Sequence, residues 1–314
     1  MAIFLTEGEV NQLLTINDAI EVVEEGFREQ GMGTAVNLSR TRLRVPRGSM
    51  NIMAAAVPGL NATGFKASGA GGKVMIYIYS AETGQLEAIM EAARLGQLRT
   101  GAASGVATKY LARSDSSVVG MYGTGAQGRT QIQAVCAVAP VKKVVAYSRD
   151  PERRAEFCRR MSESLGVEFV PANNPEDAAK DADIIITITN TREPVLSGEW
   201  IKPGTHINAA GGNSLLRREL DEEAVRKADV IVADSLHQAK IESADLFMAV
   251  ERGVINWEQV GEFGQVVAGR HPGRENDRQI TLFESHGIAI WDVSAGAKVV
   301  ELAKARGVGT PLPF

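Results

Sequence analysis

The sequence has little cysteine, no excess of charge of one sign and no long apolar run. Cys136 and Cys158 are its two cysteines in 314 residues, too few for a disulfide framework in a chain of this size. Lys and Arg total 34 against 38 Asp and Glu, a net charge of −4, so no basic excess exists to bind a phosphate backbone. No stretch approaches about 18 consecutive apolar residues, and residues 1–7 lack the features of a signal peptide. We therefore expect a cytoplasmic protein with no membrane span and no nucleic-acid partner.

The motifs of several common enzyme classes are missing as well. Neither His-Glu-x-x-His nor Cys-x-x-Cys spacing occurs, so we expect no structural or catalytic metal. Gly-x-Ser-x-Gly is absent too, which leaves a serine hydrolase unsupported. The composition that remains, 44% hydrophobic and 23% charged, is that of a globular protein. At about 100–200 residues per domain, the length predicts one large domain or two medium ones.

The first third of the chain predicts an antiparallel α+β domain. Ile20, Val23 and Phe27 recur at helical spacing and predict a helix over residues 16–30. Apolar and β-branched runs predict strands at 41–45, 49–54, 74–79 and 86–90, and an alanine-rich segment predicts a helix over 97–110. A polar break at 112–115 follows, so we place the end of this first domain at residue 113.

From residue 116 onwards, short apolar runs alternate with helical segments. Strands are predicted at 118–122, 143–147, 168–170, 183–189, 206–210, 230–233 and 280–284, with helices at 126–138 and 151–165 among them. This alternation is typical of βαβ units and a mainly parallel sheet. We predict an α/β, doubly wound domain over residues 114–290. A final helix over 289–306 is expected to return to the first domain, which then comprises residues 1–113 and about 291–314.

A glycine-rich turn is the strongest local signal. Gly123, Gly125 and Gly128 form Gly-x-Gly-x-x-Gly directly after one predicted strand and at the start of the next helix. The first glycine permits the tight turn, the second lets a pyrophosphate approach the backbone, and the third allows close helix–strand packing. In a βαβ context this pattern predicts a Rossmann domain that binds a dinucleotide.

The residues after the second strand of this domain bear on which dinucleotide is bound. NAD-binding proteins usually carry an acid there for a ribose hydroxyl, whereas this chain has Ser148 followed by Arg149, with Arg153 on the next helix. A hydroxyl and guanidinium groups suit a 2′-phosphate, which an acid would repel. We therefore favour NADP(H). The alternative is that the arginines are a solvated helix face and that Asp150 binds the ribose of NAD(H).

Motifs spread over nearly the full length resemble the ornithine cyclodeaminase/mu-crystallin family. The matching strings are Gly64-Phe65-Lys66, Gln97-Leu98-Arg99-Thr100-Gly101-Ala102-Ala103-Ser104, the glycine turn, Asn208-Ala209-Ala210-Gly211-Gly212-Asn213 and Ser285-His286-Gly287-Ile288-Ala289. The resemblance implies a homodimer formed through the first domain, a cofactor on the Rossmann domain, and an amino-acid or imino-acid substrate in a cleft between the two. The cofactor contacts expected from the turn, the second strand and the resemblance together are Arg99, Thr100, Gly123, Thr124, Gly125, Ala126, Gln127, Gly128, Ser148, Arg149, Arg153, Thr189, Asn190, Ala210, Gly211, Gly212 and Ser285.

The resemblance also implies a cationic substrate site. Arg99 and Arg42 match arginines that hold the substrate carboxylate, although Arg40, Arg42 and Arg44 alternate along one predicted strand and Arg40 is a rival choice. Lys66 matches a lysine next to the reacting nitrogen. Burial and two neighbouring arginines should lower the pKa of this lysine and fit it for proton transfer near neutral pH.

Two further positions bear on the reaction. Asn213 stands where cyclodeaminases carry an aspartate that acts as general acid/base, and an asparagine cannot ionise. Asn213 is a candidate catalytic-site residue whose identity favours reduction over cyclisation. His286 matches a position that lines the substrate, where it would protonate an imine or bind a second carboxylate; the alternative is a hydrogen-bonded histidine at a helix start.

These residues predict an NAD(P)H-dependent oxidoreductase that reduces a carboxylate-bearing imine to an amino acid. In this hypothesis Arg42 and Arg99 hold the carboxylate, and Lys66 or His286 supplies the proton for nitrogen. One alternative is an ornithine cyclodeaminase, an ammonia lyase that recycles NAD in place. The other is a non-catalytic protein that binds a ligand in an NADPH-dependent manner.

Overall fold

A computed structural model describes residues 1–69 and 71–313. The chain divides into two compact units, which we call unit 1 and unit 2. Unit 1 comprises Met1–Ala103 and Gly287–Phe314, and unit 2 comprises Ser104–His286. The boundary between Ala103 and Ser104 falls inside a helix. The sequence analysis instead ends the first domain at residue 113, in the polar break at 112–115.

The helices and strands have the following bounds in chain order. Those that begin before residue 104 are β1 (Ile3–Leu5), α1 (Glu7–Leu13), α2 (Ile16–Met32), β2 (Val36–Asn37), β3 (Thr41–Val45), β4 (Gly48–Val57), β5 (Ala62–Gly69), β6 (Met75–Ser80), β7 (Leu86–Glu91) and α3 (Ala93–Leu111). The next are β8 (Val118–Tyr122), α4 (Ala126–Val138), β9 (Lys143–Tyr147), α5 (Pro151–Leu165), β10 (Glu168–Pro171), α6 (Pro175–Ala179), β11 (Ile184–Thr187), β12 (His206–Ala209), α7 (Glu222–Lys227), β13 (Val230–Ala233), α8 (Leu236–Glu242), α9 (Ala244–Glu251), β14 (Val260–Glu262), α10 (Phe263–Val267) and β15 (Thr281–Glu284). The chain closes with α11 (Ala289–Arg306) and β16 (Thr310–Pro311).

Unit 1 is built on one sheet with the strand order β16-β1-β7-β6-β5-β4-β2, to which β3 is added by pairing with β4. Most neighbours are antiparallel, but β1 runs parallel to β7, so the sheet is mixed and the predicted antiparallel sheet is wrong at this edge. The helix α11 lies on β4, β5 and β6 and also contacts α2. Its start is held by Asn37, whose side-chain oxygen accepts a hydrogen bond from the Ala289 amide at 2.9 Å.

The strand β5 was not among the predicted elements. Its Ala62, Gly64 and Lys66 are buried and alternate with less buried residues, which is the period of a strand. A Cβ at Gly64 would lie 2.1 Å from the Tyr77 carbonyl oxygen, so glycine is required where β6 approaches. The consequence is that Lys66 points to the buried face of the sheet, the face that α11 covers.

Unit 2 is an eight-stranded sheet with the order β10-β9-β8-β11-β12-β15-β13-β14, and every neighbouring pair is parallel. Ile185 of β11 packs into one hydrophobic cluster, whereas Ile184 and Ile186 pack into another, so both faces of the strand are covered. Parallel strands covered on both faces define a doubly wound sheet. The predicted α/β fold class with a Rossmann domain is confirmed.

Within residues 1–69 and 71–313, no helix combines the length and the apolar character needed to cross a membrane.

Candidate active site

The glycine turn of unit 2 has the backbone geometry that its sequence predicts. Gly123 has φ +105° and a Cβ there would lie 2.3 Å from the Ile188 carbonyl oxygen, so the first glycine is required. A Cβ on Gly128 would come within 2.6 Å of the Gly123 carbonyl oxygen, which explains the third. Gly125 is the N-cap residue of α4, no described side chain caps that helix, and a Cβ on Gly125 would meet no atom within 4 Å. Open space therefore lies over the amides and positive dipole end of α4, as an anion requires.

The segment after β9 separates its polar groups into two sets. The Asp150 carboxylate caps α5 by accepting hydrogen bonds from the amides of Glu152 and Arg153 at 3.1 and 3.0 Å. The Ser148 hydroxyl accepts from the Thr124 hydroxyl at 2.9 Å and so faces the glycine turn. Arg149 is exposed. The acid is thus used to begin the helix, while a hydroxyl and an arginine remain beside the turn.

Arg153 and Arg154, both on α5, differ in their surroundings. Arg153 is 86% exposed at its side chain and pairs with Asp150 at 3.3 Å. Arg154 is buried, donates to the Ser148 carbonyl oxygen at 2.6 Å and lies over the Tyr147 ring. Arg153 is therefore accessible to a ligand, and Arg154 stabilises the end of the strand.

A buried carboxylate ties together the two loops that carry further predicted cofactor contacts. Glu219 accepts hydrogen bonds from the amide and hydroxyl of Thr189 at 2.6 and 2.7 Å, from the Thr187 hydroxyl at 2.9 Å and from the Gly211 amide at 2.7 Å. Burial raises the pKa of Glu219, while these donors oppose the rise. A Cβ on Gly211 would lie 2.4 Å from the Thr189 carbonyl oxygen, so the two loops touch. Asn190 is exposed beside them, and Ala210 donates to the Thr187 carbonyl oxygen at 2.8 Å.

His286 lies between two carboxylates of its own unit. Its Nδ1 is 3.4 Å from Asp234 Oδ1, its Nε2 is 3.4 Å from Glu284 Oε2, and its amide donates to Asp234 Oδ2 at 2.7 Å. Burial opposes the charged ring, but these two acids outweigh it and raise the pKa of His286 to about 10. The expected role as ligand of a second substrate carboxylate does not fit an imidazolium already paired twice. The geometry instead matches the alternative, a hydrogen-bonded histidine.

Ser285, directly before it, is different. It is 3% exposed, and its hydroxyl has no hydrogen-bond partner within the described part of the chain. An unpartnered buried hydroxyl is costly unless a ligand satisfies it. Ser285 and the open turn at Gly125 therefore both fit a bound dinucleotide.

In unit 1 two buried cations share one carboxylate, and a third cation lies beside them. Lys66 Nζ donates to Asp292 Oδ2 at 2.7 Å, and Arg99 Nε lies 2.9 Å from Asp292 Oδ1. The third cation is Arg40, whose Nη2 donates to the Gly287 carbonyl oxygen at 3.2 Å. Lys66 and Arg99 are each 7% exposed, and Asp292 is fully buried. We call Arg40, Lys66, Arg99 and Asp292 the cationic cluster.

The cluster has hydrogen-bond donors to spare. Arg99 Nε is close enough to Asp292 for an ion pair but not aligned for a hydrogen bond, and Arg99 Nη1 has no hydrogen-bond partner among residues 1–69 and 71–313. The guanidinium also lies over the Trp291 ring, 5.4 Å from its centre. A Cβ on Gly287 would lie 2.9 Å from Arg99 Nη1 and 3.4 Å from Arg40 Nη2, so both guanidinium groups adjoin the same glycine. Two such groups can hold a carboxylate.

The surroundings of Lys66 lower its pKa. Burial, followed by the charge of Arg99, lowers the pKa of Lys66 to about 8; Asp292 opposes this shift, and Arg40 adds to it. The two arginines whose charges lower this pKa are Arg99 and Arg40, whereas the sequence analysis favours Arg42 as the second arginine of the site.

Arg42 does not join the cluster. The alternation from Arg40 to Arg44 was expected to place all three arginines on one strand face, but β3 begins at Thr41 and Arg40 precedes it. Every residue of β3 is exposed, Arg42 included. The rival candidate Arg40 is thus the arginine that lies with Lys66 and Arg99.

Two predicted site residues, Asn213 and Thr100, remain to be placed. Asn213 accepts a hydrogen bond from Arg217 at 3.4 Å in the loop after β12, and Thr100 donates to the Gly96 carbonyl oxygen within α3.

Asp292 is the residue that sequence reasoning missed. Its signal was an acid inside the apolar run 288–293, a pattern that indicates a buried and paired charge. Within the described ranges no group of three or more His, Cys, Asp or Glu side chains is arranged to hold a metal ion.

A Rossmann unit with an open glycine turn, joined in one chain to a buried cationic cluster, defines a dinucleotide-binding protein of the dehydrogenase type. The comparisons with known proteins are specific. The model of the Ornithine cyclodeaminase/mu-crystallin family matches residues 1–307, and the chain belongs to this family.

Individual relatives match over nearly their whole length. An alanine dehydrogenase of Archaeoglobus fulgidus is 36% identical over 99% of this chain and 98% of its own. The structure of Thermococcus litoralis Delta(1)-pyrroline-2-carboxylate reductase in complex with NADH and L-proline is 37% identical, covers 99% of this chain and 100% of its own, and has a TM-score of 0.93. The iminosuccinate reductase of Paracoccus denitrificans in complex with NAD+ is 30% identical, covers 100% and 99%, and has a TM-score of 0.94.

Proposed function

We propose that this protein is an NAD(P)H-dependent oxidoreductase that reduces a carboxylate-bearing imine to the corresponding amino acid. The observation that carries the proposal is the cationic cluster, in which Lys66 and Arg99 are buried and share one carboxylate. A buried excess of positive charge is costly unless an anion joins it. The relatives named above as reductases act on a pyrroline carboxylate and an iminosuccinate, and both names describe an imine next to a carboxylate.

Each cation has a distinct task. Arg99 and Arg40 hold the substrate carboxylate through charge-assisted hydrogen bonds, for which Arg99 Nη1 offers a donor without a partner in the described chain. Lys66 donates a proton to the imine nitrogen and becomes a neutral amine, which solvent then protonates again. With a pKa of about 8, Lys66 is mostly an ammonium at pH 7 and still gives up its proton readily. Bound NAD(P)H supplies the hydride that the imine carbon takes up.

The dinucleotide would be held by the glycine turn and the loops that follow the other strands. The amides at the start of α4 would bind the pyrophosphate, with Thr124, Ala126 and Gln127 in that turn. The loops tied by Glu219 would add Thr189, Asn190 and the segment 210–212. The unpartnered Ser285 hydroxyl would bind the cofactor as well.

We propose NADP(H) as the preferred cofactor. Asp150 caps α5 and is therefore not presented to a ribose, while Ser148 and Arg149 flank the turn and Arg153 is exposed. We expect Arg149→Ala to weaken NADPH binding by about tenfold and NADH binding little, since a surface guanidinium–phosphate contact is worth about 1.5 kcal/mol. Dissociation constants from fluorescence titration test this, with Arg160→Ala on the exposed face of α5 as the matched control. An equal loss for both nucleotides would show that the 2′-phosphate is not recognised here.

A homodimer formed through unit 1 stays a prediction, supported by the exposed β3. Leu43 and Val45 of this strand and Met50 of β4 are 49%, 49% and 40% exposed, a row of apolar groups on an edge. Light scattering during gel filtration would measure the mass in solution. A single-chain mass at micromolar concentration would contradict the prediction.

The decisive experiment is NADPH oxidation at 340 nm with a panel of cyclic ketimine carboxylates and with pyruvate plus ammonia or an amine. We expect turnover with at least one of them. No turnover with any substrate, together with ammonia release from ornithine, would favour the lyase. Asn213 speaks against that outcome, because its amide cannot serve as the general acid/base that cyclisation uses.

A further inference from the structure

We propose that Asp292 is a positioning residue that fixes Lys66 and Arg99 at a set spacing and keeps Lys66 charged, so that proton donor and carboxylate clamp act on the same substrate. The inference rests on the proposed function for its kinetic consequences but not for its effect on Lys66. Asp292 divides its carboxylate between the two, with Oδ2 on Lys66 and Oδ1 on Arg99.

Lys66 has no alternative to Asp292. Its neighbours on the adjacent strands, Met53 on β4 and Ile76 on β6, are both buried and apolar. Within the described chain, Asp292 is the only group that accepts a hydrogen bond from the Lys66 ammonium. Without this carboxylate the ammonium would be buried and unpaired, which strongly favours the neutral amine.

The charges around Lys66 lead to the same conclusion. Arg99 on α3 and Arg40 before β3 both disfavour its protonated form, and Asp292 on α11 is the group that favours it. The surfaces that pack against α11 near this point add apolar groups, such as Phe27 of α2 beside Trp291 and Ile76 of β6. The single negative charge therefore decides whether Lys66 holds its proton near pH 7.

The position of Asp292 is itself fixed. It lies in the first turn of α11, where the helix dipole favours an acid. The Asn37 side chain holds the start of this helix, and Trp291 packs edge-on against Phe27 at 5.3 Å. Contacts from Asn37 and Phe27 therefore fix the start of α11. An Asp292 carboxylate held in this way can set the spacing between Lys66 and Arg99.

The test compares Asp292→Asn and Asp292→Glu with Glu301→Gln, a matched control at an exposed acid of the same helix. The pKa of Lys66 is measured by the pH dependence of its acylation, read by mass spectrometry. Because an opposite charge at this distance changes a pKa by about 1–3, we expect the pKa of Lys66 to fall by that amount in Asp292→Asn. It should stay near the native value in Asp292→Glu and in Glu301→Gln.

The kinetic arm follows the imine reductase reaction across pH. We expect the alkaline limb of kcat/KM to move to lower pH in Asp292→Asn, with NADPH affinity unchanged. Asp292→Glu should keep the limb and raise KM for the substrate carboxylate about tenfold, because Arg99 is displaced. A purely structural role would lower activity evenly at every pH and leave the limb in place.

An unchanged pKa of Lys66 in Asp292→Asn would overturn the inference. An equal fall in Asp292→Glu would do the same, since that variant keeps the charge and covers the case in which the asparagine variant fails to fold. Because acylation is read without a substrate, a protein that reduces no imine would refute the proposed function and leave this test intact.

Discussion

Unit 1 contains a buried cluster of cationic side chains and unit 2 a buried group of acidic side chains, and the two are satisfied differently. Unit 1 buries Lys66 and Arg99 around a single acid, Asp292. Unit 2 buries Glu219, Asp234, Asp245 and Glu284 with His286 as the cation among them.

The difference lies in which groups, backbone amides or side chains, interact with the buried ionisable side chains. In unit 2 the backbone does so: Asp245 accepts from the amides of Glu219 and Leu220, both at 2.9 Å, and Asp234 accepts from the His286 amide. In unit 1 a side chain supplies the single countercharge, and an Arg99 donor is left over. Backbone amides that satisfy an acid hold loops in place, whereas surplus donors require a ligand. We therefore interpret the acidic group as a scaffold and propose the cationic cluster as the substrate site.

The largest expected effect is that of Lys66→Met on turnover. Losing a positioned proton donor should lower kcat by about 10²–10⁴-fold, while NADPH binding, which we propose for the glycine turn and the loops of unit 2, stays the same. Steady-state rates and a fluorescence titration measure the two effects, with Lys304→Met at an exposed lysine of unit 1 as the control. Activity that survived the change would mean that the lysine transfers no proton.

The next effect concerns the scaffold. His286→Gln leaves Asp234 and Glu284 buried without their cation, so we expect the free energy of unfolding at pH 7 to fall by about 3–5 kcal/mol. Urea unfolding measures it, and His237→Gln on the exposed face of α8 should change little.

The same pair of proteins gives a pH test. The folded pKa of His286 is about 10 and its ordinary value is 6.5, so folding retains a proton that the unfolded chain has lost. The stability due to His286 is thus fully present below about pH 6.5 and disappears as the pH rises towards 10. The difference in the free energy of unfolding between the native protein and His286→Gln should become smaller over this pH range. Groups that titrate alike in both proteins cancel in this difference. A difference independent of pH would mean that His286 is neutral when folded.

The third largest effect concerns Arg99 and Arg40, which we propose hold the substrate carboxylate. We expect Arg99→Met to raise KM for the imine about 10- to 150-fold, the equivalent of a charge-assisted contact worth about 1.5–3 kcal/mol. Arg40→Met should act in the same direction and more strongly than Arg42→Met, because Arg40 adjoins Gly287 together with Arg99 whereas Arg42 is exposed on β3. Calorimetry with the amino-acid product gives the affinities, and Arg160→Met controls for loss of a surface arginine. A larger effect of Arg42→Met would instead assign the contact with the substrate carboxylate to Arg42 on β3.

The smallest effect should come from Glu219→Gln. An amide replaces one of two acceptor oxygens that serve four donors, so we expect NAD(P)H affinity to fall by about 1–3 kcal/mol together with a lower Tm. Fluorescence titration and thermal unfolding measure both, with Glu163→Gln on exposed α5 as the control. A cofactor affinity that does not change would separate these loops from cofactor binding.

Local patterns predicted unit 2 better than unit 1. The bounds of β8, α4, β9 and α5 agree with the sequence prediction residue for residue, because each is a short periodic run bounded by glycine, proline or polar residues. In unit 1 the strand β5 was missed, because its Gly64 and Lys66 do not resemble a buried strand face. Their burial depends on β6 and α11, which lie elsewhere in the chain.

The candidate site divides in the same way. Lys66, Arg99 and the glycine turn could be named from motifs, and the pKa shift of Lys66 could be anticipated from burial beside arginines. The choice of Arg40 over Arg42 could not be made from the sequence, because it depends on where β3 begins and on how the residue before it meets Gly287, which is distant in the chain.

By itself the sequence determined the βαβ rhythm, the phosphate-binding turn and the family, since each is written in residues that are neighbours along the chain. Only the tertiary structure decided which charges meet. Lys66 and Asp292 are separated by 226 positions, and they pair because α11 returns to cover β5. The energy of a buried charge depends on everything packed around it, so it is a property of the folded chain and not of any segment.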